Sequence, residues 1–252
     1  MKNPELRFFI ELRLHGKDCK MPFLGTRRVH VHFVPEDEGP KMKLSVCGFL
    51  VACAFSLFSL NAAEPANDVY IPLFDGKSLD GWEKVGKEDS VWEVKDGCIC
   101  GSGQASMLVC SKGPYKNFKY RAEVKINDKG NSGLYFRTKL KSTFSDGYEA
   151  QINSSHSDPI RTGSLYNFCH VYKKLVEPDD WFTYDLVVRD DVWRGKPVTK
   201  IKITVNGDEL YEYHDFAQSW KEGYFAFQQH DPGSKVAIRK AEVLPLEDKP
   251  AK

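Results

Sequence analysis

The chain has 252 residues, 41% hydrophobic and 13% aromatic, with 36 Lys/Arg against 35 Asp/Glu. That is enough apolar chain for one sizeable core, and too even a charge for a protein that grips nucleic acid through a basic field. Residues 1–63 hold nine basic and six acidic side chains, leaving 27 against 29 for the rest, so no nucleic-acid partner is expected.

The first feature along the chain is the apolar run from Leu44 to Leu60. It follows Lys41-Met42-Lys43 and ends in Asn61-Ala62-Ala63. A basic start, an apolar middle and small exit residues describe a secretory signal peptide over 42–63. Such signals begin at a true N-terminus, so translation is expected to start at Met42, with 1–41 an upstream extension. No basic stop-transfer cluster follows, so no stable membrane span is expected after signal removal, and the product is expected to be secreted or held in the periplasm of a bacterial envelope. Leu50-Val51-Ala52-Cys53 resembles a lipobox, but the apolar run continues past Cys53, which disfavours a lipoprotein. Removing the signal leaves Cys98, Cys100, Cys110 and Cys169, expected as buried thiols with at most one bridge.

Residues 64–246 read as one all-β domain, and 247–252 as a frayed tail. Turn dipeptides recur at Asp75-Gly76, Asp80-Gly81, Asp96-Gly97, Asp146-Gly147 and Asn206-Gly207. Both residue types tolerate the positive φ of tight hairpins. Between them lie alternating runs at Phe118–Ile126, Trp181–Val188, Ile201–Val205, Leu210–Tyr213, Tyr224–Gln228 and Val236–Val243. Asp215–Trp220 has room for one helical turn. Segments 167–181 and 190–199 read as rim loops, where functional variation concentrates. A dozen short strands with turns between them predict an antiparallel sandwich.

Three segments carry the chemistry: NSGLYFR (131–137), GYEAQIN (147–153) and TGSLYN (162–167). Strand side chains alternate between faces. With Leu134, Phe136, Tyr148, Ala150 and Ile152 turned inward, Tyr135, Arg137, Glu149, Gln151 and Asn153 share the other face. That concentration of polar groups reads as a site for a polar ligand. The bland alternative is a Glu149–Arg137 ion pair on a sheet surface. No CxxC or His spacing supports zinc and no calcium-loop pattern stands out, so no metal or cofactor is expected, with calcium left open. Asn153-Ser154-Ser155 fits a glycosylation sequon.

These motifs come in a recognisable order: IPLFDGKSLDGW, VWEVKDGCICGSG, YKNFKYRAEVKI, NSGLYFR, GYEAQI, TGSLY, WFTYDLVV, ITVNG and FAFQQH. In that order, over residues 69–246, the chain resembles the 3-keto-disaccharide hydrolase family. The resemblance implies a concanavalin A-like antiparallel β-sandwich (a jelly roll) with its ligand on the concave sheet. It also implies a carbohydrate substrate, a glycoside oxidised to a ketone at C3. Such a ketone acidifies C2–H, so a base can form an enolate and expel the aglycone from C1.

The candidate base is Glu149, and Arg137 is the candidate stabiliser of the enolate. Glu123 and Lys125 are candidates for acid, second base or hydroxyl ligand, and His230 for a proton shuttle. Asn131, Tyr135, Gln151, Tyr166 and Gln228 are the candidate sugar-binding residues. Two other readings remain open: an ordinary two-carboxylate glycosidase, in which only Glu123 could partner Glu149, and a lectin-like module without catalysis.

Overall fold

The structure, a computed structural model, describes residues 69–248. The upstream extension, the signal segment with Cys53, and residues 249–252 lie outside the described residues. Thirteen strands and no helix are found among the described residues. They form two antiparallel sheets. The larger runs, in spatial order, β11 (Asp208–Asp215), β10 (Lys196–Val205), β9 (Phe182–Trp193), β6 (Phe118–Ile126), β13 (Val236–Pro245), β4 (Cys98–Gly103) and β3 (Ser90–Lys95). A short β1 (Ile71–Pro72) pairs with β13. The smaller sheet is β2 (Trp82–Gly86), β5 (Ser106–Cys110), β12 (Tyr224–Gln229), β7 (Ser132–Thr138) and β8 (Tyr148–Ile152). This is a concanavalin A-like β-sandwich.

Side-chain alternation builds the core. In β6, Phe118, Tyr120, Ala122, Val124 and Ile126 are buried, while Lys119, Arg121, Glu123 and Lys125 are only half-buried. Across the gap Phe225 stacks on Tyr120 at 4.1 Å between ring centroids and meets Phe118 edge-on at 4.9 Å. Trp82 is buried, stacks on Phe227 at 5.8 Å and donates its indole N–H to the Leu73 carbonyl at 3.0 Å. Aromatic pairs of this kind add roughly 0.5–1.5 kcal/mol each beyond their area.

Asp96-Gly97 and Asn206-Gly207 make the expected tight hairpins, with positive φ at both central residues (51° and 74°; 51° and 85°). Arg194-Gly195 (51° and 77°) turns the chain in the same way. Segment 190–199 is therefore not a loop: it is the paired end of the β9–β10 hairpin. Segment 162–167 is not a strand either. Positive φ at Gly163 (96°) and Asn167 (67°) bends it at both ends, leaving only isolated bridges from Leu165 to Ala150 and to Cys169. It still runs beside β8, with Gln151 N donating to Ser164 O (3.0 Å) and Tyr166 N to Glu149 O (2.9 Å). No helical turn forms after Asp215, because its carboxylate takes the backbone N–H groups of Ala217 and Ser219 at 2.9 and 2.8 Å. The start of the tail is tied rather than frayed, since Asp248 accepts from Lys116 (3.1 Å) and Asn117. All four cysteines here are free, with Cys110 buried and the other three half-buried, so the single bridge allowed for is not formed.

Candidate active site

Strand register assembles a pocket on the outer face of the smaller sheet. Pairing of β7 with β8 sets Tyr135 opposite Glu149 and Gly133 opposite Gln151. Pairing of β12 with β7 adds Ala226 beside Tyr135. Leu134, Phe136, Ala150, Ile152, Phe225 and Phe227 point the other way, into the core. The pocket has a cavity volume of about 190 Å³, the scale of one sugar ring. Seven of the ten residues singled out from the sequence line it: Asn131, Tyr135, Glu149, Gln151, Tyr166, Gln228 and His230. Phe144, Asp158 and Asn167 complete the wall.

Glu149 is 8% exposed. Burial pushes its carboxyl up, a hydrogen bond from Tyr135 pulls it part of the way back, and the charge of Asp158 raises it again, leaving its pKa at about 8. The Gln151 amide nitrogen, turned towards the acceptors around it, donates to Glu149 Oε1 and to the Ser132 carbonyl, both at 3.1 Å. Burial also pushes the Tyr135 hydroxyl well up, so it stays a neutral donor, within 3.2 Å of the Phe144 carbonyl. Gln228 donates to the Tyr135 oxygen at 3.3 Å. Its own Oε1 is buried with no partner. A buried acceptor left empty in a polar pocket suits a ligand hydroxyl.

The raised carboxyl has a consequence for stability. A folded-state pKa above the unfolded one favours the protonated fold. The penalty is absent below pH 4.5, grows between 4.5 and about 8, and is complete above 8. Glu149→Gln removes it, which is worth on the order of 4 kcal/mol at alkaline pH. Melting scans should show the variant matching the parent near pH 4.5 and exceeding it by several degrees at pH 8.5. Equal melting temperatures at both pH values would contradict the burial account.

Gly133 is the floor beneath this carboxyl. A Cβ there would fall against the Glu149 carboxylate and 2.8 Å from the Tyr135 ring. Gly133→Ala should therefore displace Glu149 and cost activity on the order of a hundredfold, since misplacement by an ångström is enough for that. Denaturation curves read alongside the kinetics check it. Full activity in a folded variant would show that Glu149 does not need its present seat.

Asp158 reaches the wall from a loop organised by Asn153. Asn153 Nδ2 donates to the carbonyls of Asp158 (3.0 Å) and Ile160 (2.8 Å), and its Oδ1 accepts from His156 N (2.9 Å) and Arg161 (3.1 Å). Asn153 is fully buried in this role, so the sequon is not presented at the surface. Asp158 Oδ1 accepts from Ile160 N (2.8 Å) and Oδ2 from the Tyr166 hydroxyl (3.2 Å). Nothing in the local sequence announces Asp158 or Phe144 as wall residues, because both arrive by loop closure, whereas Asn167 closes the TGSLYN segment.

Three candidates lie elsewhere. Arg137 is 1% exposed and points into the interior. Between its pairings Thr138–Tyr224 and Tyr135–Ala226, β7 carries one residue more than β12, and Arg137 takes φ 52° at this bulge. A bulge re-aims side chains, which breaks the expected alternation. The guanidinium donates to the carbonyls of Lys116 (2.6 and 2.9 Å) and Trp220 (2.9 Å), to Thr199 Oγ1 (3.3 Å) and to Asp190 Oδ1 (3.0 Å). It is an internal strut and makes no ion pair with Glu149. Glu123 and Lys125 face outward as expected, but from the other sheet. Glu123 pairs with Arg239, and Lys125 sits over the Trp181 ring at 5.1 Å. With these gone, no lysine or arginine lines the pocket among the described residues. The supposed rim loops contribute only Asn167.

One group of metal-capable side chains occurs among the described residues: His156, His230 and Asp231, with candidate ligand atoms within 4.8 Å of one another. His156 Nδ1 accepts the backbone N–H of Asp158 at 3.0 Å, so its proton sits on Nε2. That nitrogen faces Asp231 Oδ2 at 3.9 Å. A metal ligand there would need a lone pair where this arrangement has a hydrogen.

The family profile of a 3-keto-alpha-glucoside-1,2-lyase-like domain matches residues 69–244. A relative from Bacteroides thetaiotaomicron, named 3-keto-disaccharide hydrolase, is 28% identical over 212 residues, covering 68% of this chain and 69% of its own. Among solved structures, a Parabacteroides distasonis protein named as a candidate glycosyl hydrolase superposes with a TM-score of 0.56 at 19% identity, over 71% of this chain and all of its own. A Bacillus subtilis protein of galectin-like fold gives 0.54 at 13% identity, over 72% and 96%. The two structural likenesses concern the fold.

Proposed function

The chain belongs to the 3-keto-α-glucoside-1,2-lyase-like family, and from that premise we propose that it cleaves glycosides oxidised at C3, with Glu149 taking the C2 proton. The ketone makes C2–H acidic. Its removal gives an enolate, the C1–O bond breaks, and an enone with a C1=C2 double bond remains. Water then adds back, oxygen to C1 and hydrogen to C2.

The observation that carries this reading is the buried Glu149 carboxyl with its pKa at about 8. A base of that strength takes a carbon-bound proton far more readily than an ordinary glutamate, and about a tenth of it is ionised at pH 7. The name of the Bacteroides relative supports the substrate class. With no lysine or arginine in the wall among the described residues, the enolate oxygen depends on neutral donors such as the Asn131 amide and the tyrosine hydroxyls. The second reading is an ordinary glycosidase, and the observation behind it is Asp158, a second carboxylate in the same wall.

Cleavage of a 3-keto glycoside in deuterated water tests the mechanism, with an enzyme-free control for spontaneous exchange. Deuterium at C2 of the product is expected wherever the Glu149 proton exchanges before it is returned, and a substrate deuterated at C2 should be cleaved several-fold more slowly in ordinary water. Ordinary hydrogen at C2 together with no rate loss on the deuterated substrate would point to direct hydrolysis and sink the elimination route.

A further inference from the structure

Elimination leaves a negative charge on the departing aglycone oxygen, and an alcohol leaving group needs a proton as the C1–O bond breaks. Of the acidic groups in the wall, Glu149 is occupied with C2, both oxygens of Asp158 are engaged as acceptors, and burial makes the Tyr135 and Tyr166 hydroxyls weaker acids than a free phenol. His230 remains. It follows β12 directly, lines the pocket and is partly exposed. Its Nδ1 lies 2.8 Å from Asp231 Oδ2. Asp231 is held in place by Gly233 N on Oδ1 (2.8 Å) and by the Ser234 hydroxyl on Oδ2 (3.0 Å). Burial alone would raise the Asp231 pKa, but the hydrogen bonds from His230, Ser234 and Gly233 outweigh it and hold the group ionised. An ionised carboxylate only accepts, so Nδ1 of His230 carries a hydrogen. The other ring nitrogen, Nε2, has no protein partner among the described residues. The protonated Nε2 of His156 faces the same Asp231 oxygen at 3.9 Å.

Resting on the reading above, the geometry points to a proton-delivery pair at the pocket edge, in which His230 Nε2 protonates the departing aglycone oxygen and Asp231 is the positioning residue. The proton balance closes. Glu149 takes the C2 proton, the electron pair forms the C1=C2 bond, and the aglycone oxygen leaves with the Nε2 proton as a neutral alcohol. His230 is then a neutral base. On hydration, water gives a proton to Nε2 as its oxygen bonds to C1, and Glu149 returns its proton to C2. Both groups end in their starting states, and the sum is substrate plus water to 3-keto sugar plus alcohol. Asp231 serves by stabilising the imidazolium and fixing which nitrogen faces the substrate, as the aspartate of a Ser-His-Asp triad does.

Dependence on the leaving group tests this. The wild type, His230→Ala and Asp231→Asn are compared on a 3-keto-disaccharide, whose leaving group is an alcohol, and on 3-keto 4-nitrophenyl glucoside, whose leaving group needs no proton. Nitrophenol release reports the elimination alone. Both variants should lose at least about a hundredfold in kcat on the disaccharide, with KM within about threefold, and the loss should be at least about tenfold smaller on the nitrophenyl substrate. His230→Ala leaves the Asp231 loop contacts to Gly233 and Ser234 in place, so it guards against a loop defect in Asp231→Asn. Equal losses on the two substrates, or none in His230→Ala, would overturn the assignment. So would chelator-induced loss on both substrates that a divalent cation restores, which would make the three residues metal ligands. A wild type that releases neither aglycone would instead defeat the parent reading.

Discussion

Glu149→Gln should lower kcat on a 3-keto glycoside by about 10³–10⁴-fold while KM moves by less than about threefold, the loss expected when a general base is removed without altering the binding surface. Gln has nearly the same shape and can still accept from Gln151, which now donates to Glu149 Oε1 at 3.1 Å. What it lacks is the ability to take a proton from carbon. The same variant should be the more stable protein above pH 8, because the charge that burial penalises is gone. Loss of turnover together with gain of stability would mark a carboxyl whose burial serves chemistry. Unchanged turnover would remove Glu149 from the mechanism.

Arg137→Ala should have the opposite profile. The guanidinium is buried and spends its donors on two backbone carbonyls, a threonine and the Asp190 carboxylate, joining the bulge in β7 to β9 and β10. Removing one partner of a buried, hydrogen-bonded pair costs about 3–5 kcal/mol, because the other is left desolvated and unpaired. That is a large share of the roughly 5–15 kcal/mol that holds a domain together. Denaturant midpoints should fall sharply, while whatever folds at low temperature keeps its KM and most of its kcat. If Arg137 stabilised the enolate, the result would invert, with a normal midpoint and a collapsed kcat.

The contrast between these two residues explains what was legible in the sequence. Glu149 lies in an unbroken alternation, Tyr148 to Ile152, so parity alone assigned it to the outer face beside Gln151. Arg137 lies two residues past Tyr135, and the same parity misplaced it, because one inserted residue and a positive φ reverse the direction of the side chain. Bulges leave little trace in residue types, and arginine is not a residue that signals φ 52°. Glu123 and Lys125 show a second limit. Their alternation told inside from outside correctly, but β6 belongs to the other sheet, and sheet membership is set by long-range pairing. Arg194-Gly195 hid a hairpin because the informative residue before a turn glycine is usually Asn or Asp. Asp158 and Asp231 were passed over for a different reason. Each owes its position to a loop closed by buried hydrogen bonds, around Asn153 in one case and between Asp231 and Ser234 in the other. His230 was legible as a candidate, whereas the carboxylate that orients it is visible only in three dimensions.

The most direct test is a chromogenic glucoside assayed side by side with its 3-keto counterpart, each with the wild type and with Glu149→Gln. Aglycone release from the 3-keto compound alone, abolished in the variant, is the expected result. Release from the unoxidised glucoside at a comparable rate would contradict the account and favour the Glu149–Asp158 pair as an ordinary glycosidase. Release from neither, with measurable glycan binding, would reduce the protein to a sugar-binding module.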